Sequence, residues 1–236
     1  MNRDMTITPT GPCLVLGAVL LWSSLSSHAF VYSAEPIEGW AADAETGKPI
    51  EGVIVVAHWQ LEGGFEGGSP VNELKILEAV TDQNGRYSLP AWGPRFALSG
   101  RLGSKSPEIL MFKQGYKFQL LNNDWYQDRD TSKSDWDKKT VKLERFYGTL
   151  AQYAEVLASL SSSLWVAGVD VGDRSGSYCG WKSFPRMLRA LDRLEAELRT
   201  AGVAQGTVVS SLKANSKYLA NKGCGSVSEI LEGKEQ

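Results

Sequence analysis

Apolar residues recur along this chain with two different periods, and the change falls near residue 147. Before it they alternate. In Val53 to Leu61, the side chains of Val53, Val55, Ala57, Trp59 and Leu61 take one face of an extended segment, and Ile54, Val56, His58 and Gln60 take the other. The same reading predicts strands over Ile37 to Ala42, Leu74 to Thr81, Arg86 to Leu89, Ile109 to Phe112, Tyr116 to Leu121 and Thr140 to Arg145. His58 falls on the less apolar face, which predicts a surface or rim position and no ligand role.

Turn chemistry separates these segments. Asp43-Ala-Glu-Thr-Gly-Lys-Pro49 combines a glycine that accepts positive φ with a proline that cannot donate into a ladder. Glu62 to Pro70 is a Gly-rich hairpin tip, and Asp82-Gln-Asn-Gly85 is a tight turn before a returning strand. Pro90 to Pro94 is expected to break the ladder and turn the chain. Many short strands with frequent Gly and Pro turns predict a β-sandwich.

After residue 147 the spacing becomes helical. Leu150, Tyr153, Ala154, Leu157 and Leu160 form one stripe within Gly148 to Leu164. Val166 to Trp181 reads as a Gly-rich loop. Phe184, Met187, Leu188, Leu191, Leu194 and Leu198 form a second stripe, with Ser183 as its cap, Pro185 in its first turn and Gly202 as its stop. Thr207 to Leu219 predicts a further helix ended by Gly223. A short loop between these two helices makes them antiparallel. That brings Cys179, just before the first, near Cys224, just after the second, and predicts a disulfide; two buried free thiols are the alternative. The fold class is therefore α+β: an antiparallel β-sandwich over 36–146 followed by a small helical segment over 148–236.

The chain has 236 residues, 42% hydrophobic and 22% charged, with a net charge of -2. These values suit a globular protein and supply no basic field for nucleic acid. Leu14 to Trp22 is apolar but too short to span a bilayer, and Ser27-His28-Ala29 follows it. Residues 1–29 therefore read as a secretory signal peptide, with a second cleavage position after Ala34; a buried N-terminal helix is the alternative. Its removal leaves no membrane span, two cysteines and one histidine. That inventory fits an oxidising compartment and supplies neither a zinc site nor a Cys-His or Ser-His pair. No phosphate loop, dinucleotide fingerprint or nucleophile elbow is present. No cofactor, no metal site and no catalytic residue is expected.

Three stretches carry a family resemblance: Asp43-Ala-Glu-Thr-Gly-Lys-Pro-Ile-Glu-Gly-Val53, Thr81-Asp-Gln-Asn-Gly-Arg-Tyr87 and Lys113-Gln-Gly-Tyr116. In that order they resemble the carboxypeptidase regulatory-like domain. The resemblance implies a transthyretin-like β-sandwich and a non-catalytic accessory role. It covers roughly residues 36–146. No peptidase domain accompanies the module, so no peptidase activity is implied.

Between the last two strands lies the polar segment Asn122 to Lys139, with Trp125, Tyr126 and Trp136 set among carboxylates. Aromatic faces of this kind stack on sugars or dock a partner, or else cover the edge of a sheet. Asp124, Asp128, Asp130, Asp135 and Asp137 match no calcium-loop order. The expectation is a periplasmic or secreted, non-catalytic binding or structural module of the bacterial envelope, with an envelope or surface protein as partner. The alternative is a carbohydrate-binding protein that holds a glycan on Trp125, Tyr126 or Trp136, and a third reading is an unrecognised hydrolase.

Overall fold

The fold is taken from a computed structural model that describes residues 30–63, 69–97, 100–103, 105–124, 131–164, 179–203 and 205–233. The expected signal peptide, residues 1–29, lies outside the described residues, as do Trp125 and Tyr126.

The chain is α+β, with strands first and helices after. The strands are β1 (Phe30–Ala34), β2 (Ile37–Asp43), β3 (Ile54–Gly63), β4 (Ser69–Val80), β5 (Arg86–Leu89), β6 (Trp92–Ala97), β7 (Arg101–Leu102), β8 (Glu108–Phe112), β9 (Gln119–Leu121), β10 (Thr131–Ser132) and β11 (Lys139–Leu143). The helices are α1 (Leu150–Leu164), α2 (Pro185–Thr200), α3 (Val208–Ala214), α4 (Ser216–Asn221) and α5 (Val227–Leu231), with a 3-10 turn at Gly180–Ser183. No helix among the described residues is long and apolar enough to cross a membrane.

Among the described residues the strands form three sheets, ordered β10-β1-β6, β11-β2-β5 and β4-β3-β8-β9, with β7 also on β3. Most pairs are antiparallel, as the hairpin turns require. Two are not: β11 lies parallel to β2, and β10 parallel to β1. The antiparallel expectation holds for the other pairs and is corrected at these two. Both strands arrive after a long connection, and a long connection permits either direction.

β3 is central and buried on both faces. Val53, Val55, Ala57, Trp59 and Leu61 enter one core with Ile109 and Met111 of the adjacent β8 and with Ile37, Tyr87, Leu89, Val141 and Leu143 of the β11-β2-β5 sheet. Ile54 and Val56 on the opposite face enter a second core with Leu157, Leu160, Trp181, Met187, Leu191 and Leu212 of the helical part. Each fully buried aliphatic side chain stabilises by roughly 1.5–3 kcal/mol, so burial against the helices stabilises β3 as well as burial within the strand core. His58 is therefore corrected: it is 3% exposed, because the face read as peripheral lies in the interior.

Other differences have local causes. Pro90 to Pro94, expected to break the ladder, runs into strand β6 (Trp92–Ala97), which pairs with β1 on one side only; a proline is tolerated at such an edge. The helix expected over Thr207 to Leu219 is interrupted at Asn215, whose side chain donates to the Ser211 carbonyl at 2.9 Å and competes with the helical ladder. Thr207 caps α3 through Val209 N–H. Ser183 does not cap α2; it belongs to the 3-10 turn. Cys179 and Cys224 are bonded, with Cα atoms 5.2 Å apart, so the antiparallel-helix argument places the bridge correctly.

Candidate functional site

The first and third sequence motifs meet at Asp43. Its Oδ1 accepts Thr46 N–H at 2.9 Å, Glu45 N–H at 3.1 Å and the Thr46 hydroxyl at 3.0 Å. Its Oδ2 accepts the Tyr116 hydroxyl at 2.9 Å and Arg145 Nε at 2.7 Å. The Thr46 backbone N–H, acting against burial and joined by the Tyr116 and Thr46 hydroxyls, holds this carboxyl far below the usual aspartate range. The guanidinium of Arg145 also lies 5.3 Å from the centroid of the Tyr116 ring.

The second motif locks onto the first. The Thr81 hydroxyl donates to the Ile50 carbonyl at 2.7 Å and accepts Val53 N–H at 2.8 Å, while Ala41 N–H donates to the Gly85 carbonyl at 2.8 Å. Gly85 has φ +71°, and a Cβ there would strike the Ala41 carbonyl and come within 3.0 Å of Pro49. Asp82 closes the turn by accepting Asn84 and Arg86 N–H, each at 2.9 Å. Every polar atom named here is spent on the fold, so this constellation is a fastening.

The polar segment 122–139 is also built into the fold where it is described. Trp136 is half-buried against the strand core; its Nε1 donates to the Asn122 carbonyl at 3.0 Å, and Lys139 Nζ lies 5.3 Å from its ring centroid. Asp137 accepts Glu38 N–H at 2.9 Å and Asp135 accepts Asp124 N–H at 2.8 Å. Asp128 and Asp130 lie outside the described residues. Among the described residues, no three His, Cys, Asp or Glu side chains are grouped so as to hold an ion.

The feature with unspent surface is a trough where the sheet meets α2. One cavity of about 420 Å³ is lined by Gly52, Ile54, Phe112, Lys113, Ala190, Arg193 and Leu194. A second, of about 350 Å³, is lined by Phe146, Thr149, Leu150, Tyr153, Leu194 and Leu198. Gln114 and Glu197 line both, and Gln114 Nε2 donates to Glu197 Oε2 at 2.9 Å. The α2 residues involved, Ala190, Arg193, Leu194, Glu197 and Leu198, follow i, i+3, i+4, i+7 and i+8, so one helical stripe forms one wall. Leu150 is 55% exposed, and Tyr147 close by is 72% exposed.

Sequence reasoning did not single out this trough. Its polar residues come from a turn after β8 and from mid-helix, 83 positions apart at the Gln114–Glu197 contact. One signal was available: Arg193 and Glu197 are charged positions beside the apolar stripe that faces the sheet.

No family model matches the chain, and no curated protein does. Among solved structures, it is similar to 3-chlorocatechol 1,2-dioxygenase from Rhodococcus opacus 1CP at 15% identity and a TM-score of 0.29, over 49% of this chain and 61% of that one. It is similar to catechol 1,2-dioxygenase from Acinetobacter sp. ADP1 at 14% identity and a TM-score of 0.27, over 52% of this chain and 55% of that one. The chain thus spans 55% to 61% of the length of these two enzymes. Likeness at that level assigns this chain neither a family nor a reaction.

Proposed function

We propose that this chain is an exported, non-catalytic module of the bacterial envelope, periplasmic or secreted, that docks a partner protein in the trough between sheet and α2. In this reading the strand portion is a transthyretin-like β-sandwich of the carboxypeptidase regulatory-like type. The Asp43 and Thr81 fastenings then serve its stability, and binding falls to the seam with the helical part.

One observation carries the proposal: Leu150, 55% exposed, lines a cavity together with Phe146, Tyr153, Leu194 and Leu198. Exposed apolar side chains beside a partly apolar groove, rimmed by charge, are the pattern of a protein-docking surface. The disulfide supports the exported location, since such bonds persist in oxidising compartments.

The test is a photo-crosslinking amino acid placed at Leu150 in cells, with the exposed Lys142 on β11 as control. The expected result is one defined protein adduct at Leu150, absent at Lys142 and suppressed by Leu198→Asp. An absence of adducts at both Leu150 and Tyr147 would overturn the proposal.

A further inference from the structure

The trough carries two cations that form no ion pair among the described residues. Lys113 is half-buried after β8, and Arg193 is exposed on α2; neither takes part in an ion pair among the described residues. Arg193 Nε donates to the Arg189 carbonyl at 3.3 Å, which leaves the rest of its guanidinium fork unspent. Both side chains line the cavity of about 420 Å³, from the two elements that form it. Gly52 makes room for the lysine. Its φ is +73°, and a Cβ there would lie 2.8 Å from Lys113 Nζ.

Ile54, Phe112, Ala190 and Leu194 supply the apolar part of the remaining lining, and Gln114 and Glu197 supply its polar part. Two cations around an apolar lining select an anion whose charged group and apolar body are close together. Glu197 sets the direction. Its carboxylate stands between the two cavities, held by Gln114, and repels a second carboxylate placed there. The anionic group therefore belongs at the Lys113–Arg193 end. Ala190 to Leu198 rises by roughly 12 Å along the helix, the reach of three to four extended residues.

We infer that the trough binds the carboxy-terminal end of an apolar peptide, its terminal carboxylate between Lys113 and Arg193 and a large apolar side chain upstream in the cavity lined by Phe146, Tyr153 and Leu198. This deepens the docking proposal and rests on it. A terminal residue presents its carboxylate and its side chain from one α carbon, so it reaches the cations and the apolar lining together. An internal aspartate or glutamate must continue the chain past the cations in both directions. Charge complementarity of this kind gives specificity and register.

The experiment titrates the isotope-labelled protein with acetyl-Phe-Ala-Ala-Leu bearing a free carboxylate, and follows backbone amide resonances. The expected shifts fall on Gly52, Lys113, Gln114, Gly115, Leu194 and Glu197. The carboxamide form of the peptide should bind at least about tenfold more weakly, as should Arg193→Glu and Lys113→Glu variants with unchanged circular dichroism. Equal binding of the carboxamide form, equal binding of acetyl-Phe-Ala-Ala-Glu-Ala-amide, shifts confined to other surfaces, or no shift at millimolar peptide would each overturn the inference. A crosslinked partner at Leu150 that still binds the Arg193→Glu variant would sink the carboxylate assignment and leave docking itself intact.

Discussion

Oε1 of Glu78 accepts the backbone N–H of Met187 at 2.8 Å, across 109 residues of sequence. Oε2 of the same side chain accepts Arg186 N–H at 3.0 Å. Helix α2 thus receives its N-terminal cap from strand β4, while Phe184 at its own cap position offers no acceptor. A carboxylate there also faces the positive end of the helix dipole. The same device recurs one helix later. Glu195 on α2 accepts the Thr207 hydroxyl at 2.8 Å and the Ser210 hydroxyl, at the start of α3. Burial pushes the Glu195 carboxyl up, but these hydroxyls and the Arg199 charge outweigh it and hold it below the usual range.

Glu78→Ala should lower stability by about 1–2 kcal/mol, the usual cost of a lost helix cap. Burial pushes Glu78 above the ordinary glutamate range, against the Met187 and Arg186 N–H bonds. Its folded form therefore holds a proton more tightly than the unfolded form. Its contribution to stability is largest below the unfolded value of 4.5 and declines as pH rises through the folded value. Glu78→Gln should remove that decline while losing less than the alanine variant. Urea unfolding of both variants from pH 4 to 7 checks each point.

Asp43 behaves in the opposite sense. Its folded pKa is depressed, so its stabilisation is present above the unfolded value of 3.8 and is lost as pH falls from there toward the folded value. Asn at this position keeps the shape but turns an amide N–H₂ toward Arg145 Nε or toward the Thr46 N–H, and donors cannot pair with donors. Asp43→Asn should melt well below the wild type at pH 7, with the gap narrowing below pH 3.8. An unchanged gap would show that the charge is not what matters.

What was legible in the sequence is what depends on neighbours along the chain. The alternation from Val53 to Leu61 and the stripe from Phe184 to Leu198 both became buried faces, because one period repeats within one element. The turn at Asp82 to Gly85 was readable for the same reason. His58 was not, because a polar residue on the second face of a strand looks alike whether water or helices cover it. The cap on α2 and the trough were also hidden. Glu78 with Met187 and Gln114 with Glu197 are pairs that exist only once distant elements pack.

The Cys179–Cys224 bond closes a span of 45 residues that contains α2, α3 and α4. Loop entropy assigns such a closure about 4 kcal/mol. The Cys179→Ser/Cys224→Ser double variant should therefore lose stability of that order, with a fall in Tm on the order of 10 °C. Dithiothreitol should bring the wild type to the same Tm and leave the variant where it is. A loss below about 1 kcal/mol would place the helical part under the control of its core alone.

Processing after Ala29 and processing after Ala34 have different consequences for the fold. β1 begins at Phe30, and its Tyr32 and Ala34 are each 4% exposed. The Tyr32 hydroxyl donates to the Gly100 carbonyl at 2.8 Å, and the strand joins β6 to β10. A cut after Ala34 would remove that strand and the pairing of both neighbours. In the exported form proposed above, N-terminal sequencing should find Phe30 as the first residue. A form lacking residues 30–34 should be less stable by several kcal/mol, given the burial of Tyr32 and Ala34.

His58 supplies the sharpest dependence on acid. Neither ring nitrogen has a hydrogen-bond partner among the described residues, and burial lowers its pKa from 6.5 to about 4. The unfolded chain binds a proton below pH 6.5 that the folded chain refuses until about pH 4. Stability from this group is thus complete above 6.5 and falls with acid by a total of about 3 kcal/mol across that window. Glu108, its register partner on β8, is pushed up by burial and by Glu62, and works the other way, gaining stability as it protonates. The wild-type slope sums these two with the other shifted carboxyls, Glu78 among them, and the difference from His58→Leu isolates the histidine. That variant should unfold with a flatter pH profile between 6.5 and 4, and an imidazole titration followed by NMR should show no protonation of His58 at pH 5.5. A midpoint near 6.5 for that resonance would mean the ring is solvated and the strand face is open.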